Sequence, residues 1–459
     1  MMRMRDENRQ SAQTRAYWIM AFLVINMILI QKGNPNPGSR LATLAAMTES
    51  QTFCIDDYIN PPLAWTNDWA RRPDGHYFSN KPPGPMLIGY PVFRAVDFWI
   101  TRGLQNSEAR FLTRRRNLPI YNWVLSFIFQ ILPFAWISWK ILSWLARKGY
   151  SEAALSYSAI AILFGNTASV LMNTYFGHGI AAWCLLAMAF FWIDGKFGMA
   201  GFCAGLGAVS DYGALLVLAV SLVFILKLGS SPFKAFVLGM TVPLVFGFWY
   251  FTACYGKPWL TALQFENPTY LETNGDHPLL LGMFHLRPRL SALEGLLFGS
   301  SRGLLFTQPW VLVLLAAFVL QPPAYRTANS WAMMRLSFIV SFVVLLWFNC
   351  SFNGWHGGLM IGPRYLSIIF PVFGWLAAEI LDRAGPRTQL LLWLALLVSV
   401  LLSALIFSTT LYAPPEELLW NYLIRVFNFI PGPTSTLRFL FFLSVFSLAV
   451  WRTHKPKIQ

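Results

Sequence analysis

The chain has 459 residues, of which 56% are hydrophobic and 12% are charged, and its mean hydropathy is +0.49. Soluble domains contain about 25% charged residues, so this composition excludes an ordinary soluble protein. The net charge of +15 does not indicate nucleic acid as a partner, because the basic residues are scattered through short segments instead of gathering on one polar face.

Apolar runs recur from one end of the chain to the other. Runs of about 15 to 25 residues suit membrane-spanning helices better than spanning strands of about ten residues. Helices also pair their own backbone polar groups, as a bilayer interior requires. We therefore expect an all-α integral membrane protein with about twelve transmembrane helices. The predicted spans are 17–31, 118–144, 153–172, 178–194, 198–212, 213–228, 235–255, 303–321, 336–350, 365–381, 390–411 and 437–451.

The basic residues indicate how these helices are oriented. Cytoplasmic loops carry an excess of Lys and Arg, which places Arg15, Arg147 and Lys227 inside. A helix at 85–100 is predicted to lie at the outer interface or dip into it, since a full span there would move the later basic loops outside. The resulting segments are a cytoplasmic N-terminus (1–16), the first transmembrane helix (17–31), an outer loop (32–117), helices 2–7 (118–255), a second outer loop (256–302), helices 8–12 (303–451) and a cytoplasmic tail (452–459).

Unusual polar motifs fall on the outer side in this topology. Acids, histidines and single arginines at membrane edges, flanked by Gly and Trp, are typical of a pocket for a charged lipid headgroup. The motifs are Asp56-Asp57, TNDWA at 66–70, GHYFSNKPPG at 75–84, NTYFGHG at 173–179, SSRGLLFTQP at 300–309 and WHGGLMIGPRYL at 355–366.

The order of these motifs is similar to that of GT-C fold glycosyltransferases, especially bacterial members related to protein O-mannosyltransferases and lipid A aminoarabinose transferases. The resemblance covers nearly the whole chain. It implies a GT-C-type helical bundle whose long first outer loop carries juxtamembrane helices. It also implies transfer of a sugar from a polyprenyl-phosphate donor to an outward-facing glycolipid, polysaccharide or protein, in the inner membrane of a bacterium with the active site facing the periplasm.

The implied chemistry needs a base and cations. A carboxylate would take the proton of the acceptor hydroxyl, and cationic donors would stabilise the departing phosphate in an inverting displacement. The Asp-Glu pair that follows the first helix in the family is absent here, and Ser39-Arg40 stands in its place. The base is therefore open between Asp68, the first choice, and the pair Asp57 and Asp56, each of which has a turn-former as its alternative interpretation.

Four cationic or polar side chains are predicted to bind the donor phosphate. Lys81 precedes two prolines and a glycine that fix its backbone, and Arg302 and Arg364 each stand where an outer loop meets a span. His356 is the fourth. The alternative for such arginines and lysines is that they only extend to the aqueous interface. A monophosphate leaving group needs a metal less than a pyrophosphate does, so no cofactor is certain and a divalent metal is possible but not favoured.

Other residues are expected to bind the acceptor or orient the base. His178 matches by order a position where relatives carry a second acid, and a purely structural histidine is its alternative. His76 and Arg40 are weaker candidates for the same role. Asp211 interrupts an apolar run, which indicates either a functional ionisable group or a helix cap.

Two other classes of function remain open. A transporter or lipid flippase is compatible with about twelve spans, but sparse intramembrane charge and a single large first loop argue against it. A polysaccharide polymerase or ligase of another membrane fold is the third hypothesis, and these usually place their large loop late in the chain.

Overall fold

Most of the residues that the structure describes are in helices. The computed structural model describes residues 2–29, 35–60, 64–268, 283–320, 330–358, 360–409, 434–453 and four positions between 419 and 424. The helices of eight or more residues are Met2–Ile28, Pro35–Glu49, Gly84–Thr101, Ser107–Arg116, Leu118–Ser126, Leu132–Arg147, Glu152–Leu163, Gly177–Ile193, Phe197–Ser210, Tyr212–Leu226, Ser230–Tyr255, Leu290–Phe298, Pro309–Leu320, Ser330–Ser351, Phe370–Arg383, Pro386–Ser408 and Thr434–Thr453.

Length and hydropathy identify the helices that suit a bilayer. In the part of the chain described, five helices are long and apolar enough to cross one: Leu118–Arg147, which includes a π-helical turn, Ser230–Tyr255, Ser330–Ser351, Pro386–Ser408 and Thr434–Thr453. Five shorter helices are also apolar. The protein is thus an all-α, multi-pass membrane protein, and the expected total of about twelve spans stays a prediction.

Asn166 interrupts one predicted span. Its side chain donates to the carbonyls of Ala161 and Ile162, both at 2.7 Å, and accepts from the backbone N–H of Ser169 at 3.0 Å. These bonds satisfy the open ends of two helical segments, which is the function of a capping residue. The run expected as one helix at 153–172 is consequently divided into Glu152–Leu163 and Thr167–Leu171.

The predicted first outer loop has its own structure. The helices Pro35–Glu49, Gly84–Thr101 and Ser107–Arg116 pack together, and a two-stranded antiparallel sheet pairs Trp69–Arg71 with Tyr77–Ser79. Helix Gly84–Thr101 occupies the segment expected at the outer interface. The hairpin lies directly before the Lys-Pro-Pro motif and therefore positions it.

Two apolar helices approach each other closely without side chains between them. Helices Phe197–Ser210 and Ser230–Tyr255 meet at glycines, and a methyl group on Gly201 or Gly239 would lie 1.9 Å from a carbonyl oxygen of the opposite helix. Small residues at such seams allow the backbones of membrane helices to pack directly together.

Candidate functional site

Three of the six motifs, at 75–84, 173–179 and 355–366, contribute residues to one cavity of about 190 Å³. Its lining comes from the first loop, from the starts of helices Gly177–Ile193 and Tyr212–Leu226, from the segments 263–266 and 283–284, from the end of helix Ser330–Ser351 and from the loop before Phe370. The ionisable residues that line it are Arg40, Lys81, His178, Asp211, Tyr212, Glu266, Arg364 and Tyr365. Five of them (Arg40, Lys81, His178, Asp211 and Arg364) were expected from the sequence to be site residues.

Lys81 and Asp68 form an ion pair at the edge of this cavity. Lys81 Nζ lies 3.0 Å from Asp68 Oδ2, and both side chains are largely buried. The hydroxyl of Ser39 donates to the backbone carbonyl of Asp68 at 2.6 Å, and the backbone N–H of Lys81 donates to Ser79 Oγ at 3.2 Å. Burial lowers the pKa of Lys81, while the charges of Asp68 and Glu266 oppose this shift.

Arg40 places a second cation in the cavity. It projects from helix Pro35–Glu49, is 4% exposed and donates from Nη1 to the side chain of Asn36. Its Nε–H is buried and has no hydrogen-bond partner among the described residues. Burial lowers the pKa of Arg40 to about 10, and the nearby charges of Asp68 and Asp211 limit the fall. A buried guanidinium with an unused donor is suited to an anionic ligand.

Arg364 contributes the third cation. Its Nη2 donates to the hydroxyl of Tyr365 at 2.8 Å, and its guanidinium lies 4.8 Å from the centre of that ring. Its Nε–H is also buried without a partner in the described part of the chain. The guanidinium or ammonium groups of Arg40, Lys81 and Arg364, which lie up to 324 positions apart in the chain, therefore share one cavity.

His178 and Asp211 form a second acid–base pair. Nδ1 of His178 contacts Oδ2 of Asp211, and both side chains are buried. Oδ1 of Asp211 accepts from the backbone N–H of Gly213 at 2.8 Å, which confirms the helix-cap interpretation of this residue. The cap does not exclude a functional role, because the same carboxylate orients His178. The imidazole also meets the ring of Tyr365 edge-on at 5.7 Å.

Glu266 lines the cavity but was not among the predicted site residues. Its Oε1 accepts from Asn80 Nδ2 at 2.6 Å, and its backbone forms a bridge with Ala70 of the hairpin. Burial raises the pKa of Glu266 to about 7, against the opposing charge of Lys81. The sequence offered one signal, an acid in the second predicted outer loop (256–302), from which only Arg302 was predicted to be a site residue.

Two predicted phosphate ligands lie outside this lining. Arg302 is buried, and its guanidinium donates to the backbone carbonyls of His356, at 3.1 Å from Nε, and Gly358. His356 accepts from the backbone N–H of Gly358 at 3.0 Å. Through these contacts both residues stabilise the loop that leads to Arg364.

The remaining candidates form a separate surface group. Nδ1 of His76 lies 2.8 Å from Oδ2 of Asp56, and Asp57 is exposed on the adjacent turn. The hydrogen bond to Asp56 raises the pKa of His76. Ligand atoms of Cys54, Asp56 and His76 lie within 4.8 Å of one another, a spacing that allows a metal ion to bind. None of these four residues lines the cavity.

Neither the protein-family models nor the curated proteins searched contain a significant match to this chain. The functional interpretation consequently depends on the geometry of the cavity and on the motif order.

Proposed function

We propose that this protein is a membrane glycosyltransferase that moves a sugar from a polyprenyl-phosphate donor to an outward-facing glycolipid, polysaccharide or protein. The single observation that carries the proposal is the gathering of Arg40, Lys81 and Arg364 around one cavity. Three cations in a largely buried space are suited to a phosphate group, and guanidinium geometry matches two phosphate oxygens.

Apolar residues in the cavity lining support a lipid-linked donor over a free sugar phosphate. Leu345, Phe348 and Phe352 line the cavity at the end of helix Ser330–Ser351, one of the helices suited to a bilayer. Trp347 and Phe348 of the same helix are exposed on the protein surface. A cationic region next to an apolar wall matches a phosphate attached to an isoprenoid chain.

The transfer follows from these groups in one displacement. A carboxylate at the Lys81 end, either Asp68 or Glu266, accepts the proton of the acceptor hydroxyl. The acceptor oxygen forms a bond to the anomeric carbon, and the bond from that carbon to the phosphate oxygen breaks. The electron pair leaves with the lipid phosphate, whose growing charge the three cations stabilise. The anomeric configuration is inverted.

The pair His178–Asp211 is assigned to the acceptor. Its buried imidazole lines the same cavity as Lys81 and is held by a carboxylate, an arrangement that fixes the orientation of a hydrogen bond to a sugar hydroxyl. The proposed location is a bacterial inner membrane with the cavity open to the periplasmic side.

Transfer is tested with purified protein in proteoliposomes that contain a polyprenyl-phosphate hexose. We expect release of free polyprenyl phosphate when an acceptor is present, and a loss of about 100-fold or more in Arg364→Met. Arg94→Met, which changes an exposed arginine of helix Gly84–Thr101, is the matched control and should retain the wild-type rate. Movement of intact donor across the bilayer without any cleavage would instead identify a transporter or flippase.

A further inference from the structure

The carboxylates of Asp68 and Glu266 both influence Lys81, but they differ in their contacts and in whether they line the cavity. Asp68 uses Oδ2 to hold the ammonium group at 3.0 Å, and it is not among the residues that line the cavity. Glu266 does line the cavity. Its charge acts on the same lysine, and its side chain accepts a hydrogen bond from the preceding residue, Asn80.

The position of Glu266 is fixed by its surroundings. Asn80 Nδ2 and the backbone N–H of Asn267 donate to Oε1, at 2.6 and 3.3 Å. The bridge between Glu266 and Ala70 attaches its backbone to the hairpin that precedes Lys81 in the chain. Among the described residues both hydrogen bonds end on Oε1, which leaves Oε2 as the oxygen able to take up a proton.

The charges around Glu266 suit proton transfer near neutral pH. Lys81 favours its ionised form and Asp68 opposes it, while Tyr212 and Tyr255 are the other titratable groups that interact with it. Arg40 and Arg364 lie on the same cavity. Burial is the dominant influence and raises the pKa to about 7. A general base is most effective when its pKa lies near the working pH.

We infer that Glu266 is the catalytic base of the transfer and that Asp68 is a positioning residue that holds Lys81. This inference depends on the proposed function. In the step, Glu266 Oε2 receives the acceptor hydroxyl proton as the acceptor oxygen bonds to the anomeric carbon, and the lipid phosphate leaves with the electron pair of the broken bond. Glu266 then releases this proton to water, which restores the carboxylate base.

The rate of lipid-phosphate release from a polyprenyl-phosphate hexose, measured from pH 5.5 to 8.5, tests the assignment. In the wild type, kcat should rise with an apparent pKa of about 7. Glu266→Gln should lower kcat by about 10²–10⁴-fold and change the donor KM by no more than about twofold. Glu294→Gln, an exposed glutamate in helix Leu290–Phe298, is the matched control with wild-type kinetics.

Asn80→Ala keeps the carboxylate and separates a chemical role from a structural one. The hydrogen bond from Asn80 lowers the pKa of Glu266, so its removal should move the apparent pKa of kcat upward. An unchanged profile in Asn80→Ala would overturn the assignment. So would a Glu266→Gln enzyme that keeps its rate while Asp68→Asn loses it. If wild-type protein releases no lipid phosphate with any acceptor class, the proposed function itself fails, and this outcome is distinct from both of the others.

Discussion

Arg114 donates two parallel hydrogen bonds to the carboxylate of Asp97, 2.7 Å from Nε to Oδ1 and 2.8 Å from Nη2 to Oδ2. Both side chains are almost fully buried. The hydroxyl of Tyr121 donates to the same carboxylate at 2.7 Å, and Arg114 Nη1 reaches Glu49 at 2.7 Å. This cluster joins three helices of the first loop to helix Leu118–Ser126, so it determines where the cavity-lining residues of that loop stand.

We predict that Asp97→Asn destabilises the protein by about 3 kcal/mol, because it leaves the buried Arg114 charge with only the partly exposed Glu49 as a counter-ion. Thermal unfolding in detergent measures the effect. Glu108→Gln, an exposed acid on the neighbouring helix Ser107–Arg116, should change the stability by no more than about 0.5 kcal/mol. Equal melting curves for the two variants would show that the pair does not stabilise the loop.

Gly177→Ala is expected to damage the site through the backbone. A methyl group there would lie 2.0 Å from the carbonyl oxygen of Ser210 and 3.2 Å from Nη2 of Arg40. We predict a loss of about 1–3 kcal/mol in stability and reduced transfer activity, as is usual for overpacking. Gly198→Ala is the control, since its nearest neighbour would be 3.7 Å away. If both variants melt and react alike, the close approach at Gly177 has no influence.

Lys81→Met should weaken binding of the lipid phosphate product by about tenfold or more, because it removes a buried cation and its ion pair with Asp68. Lys81→Arg should retain most of the affinity, since it keeps the charge. Lys196→Met removes a lysine whose ion pair with Asp194 is exposed, and it should bind like the wild type. Titration with polyprenyl phosphate in nanodiscs measures all three. An unaffected Lys81→Met would exclude Lys81 as a phosphate ligand.

Substitution of Arg302 is predicted to affect mainly stability, whereas substitution of Arg364 is predicted to affect mainly phosphate binding. Arg302→Met removes the hydrogen bonds to the 356–358 loop and should lower the melting temperature clearly. Arg364→Met should raise the dissociation constant for the lipid phosphate with a smaller change in melting temperature, since most of its described contacts are with Tyr365. Parallel melting and binding measurements distinguish the two, and the opposite pattern would assign phosphate binding to Arg302.

The stability should depend on pH through Glu266. Its pKa is raised from 4.5 to about 7 on folding, so the folded state favours the protonated carboxyl. That contribution is complete below pH 4.5, and it is lost as the pH rises through 7. We expect the melting temperature to fall between pH 5 and 8 by roughly 1–3 °C more in the wild type than in Glu266→Gln. Identical pH dependence would mean that Glu266 stays ionised in the folded protein.

The sequence was sufficient for the class of fold and for much of the cavity. Hydropathy indicates membrane helices because a bilayer requires long apolar segments. Residues such as Lys81 and Arg364 are recognisable as charges at the edges of these apolar runs. Ser39-Arg40 was noticed through the motif that it replaces, and Arg40 does line the cavity. These inferences all rest on local patterns.

The features that sequence reasoning missed depend on contacts between distant segments. Glu266 meets Asn80 across 186 positions of the chain, and the backbone bridge to Ala70 that brings it there has no local signature. The helix break at Asn166 is similarly invisible to hydropathy, since a single capping side chain decides it within an apolar run. The roles of Arg302 and His356 as supports of a loop also depend on which carbonyl groups they meet.

The glycine seam between helices Phe197–Ser210 and Ser230–Tyr255 has a mechanical consequence for the cavity. Carbonyl groups lie directly opposite Gly201 and Gly239, so no layer of side chains between the two helices can rearrange. The two helices should therefore move as one rigid unit. Any opening that admits a bulky lipid headgroup is then expected elsewhere in the lining, and we expect it around Leu345 and Phe348. Spin labels placed on the two glycine-packed helices should give a single narrow distance distribution. Labels placed on one of these helices and on helix Ser330–Ser351 should give a broadened one.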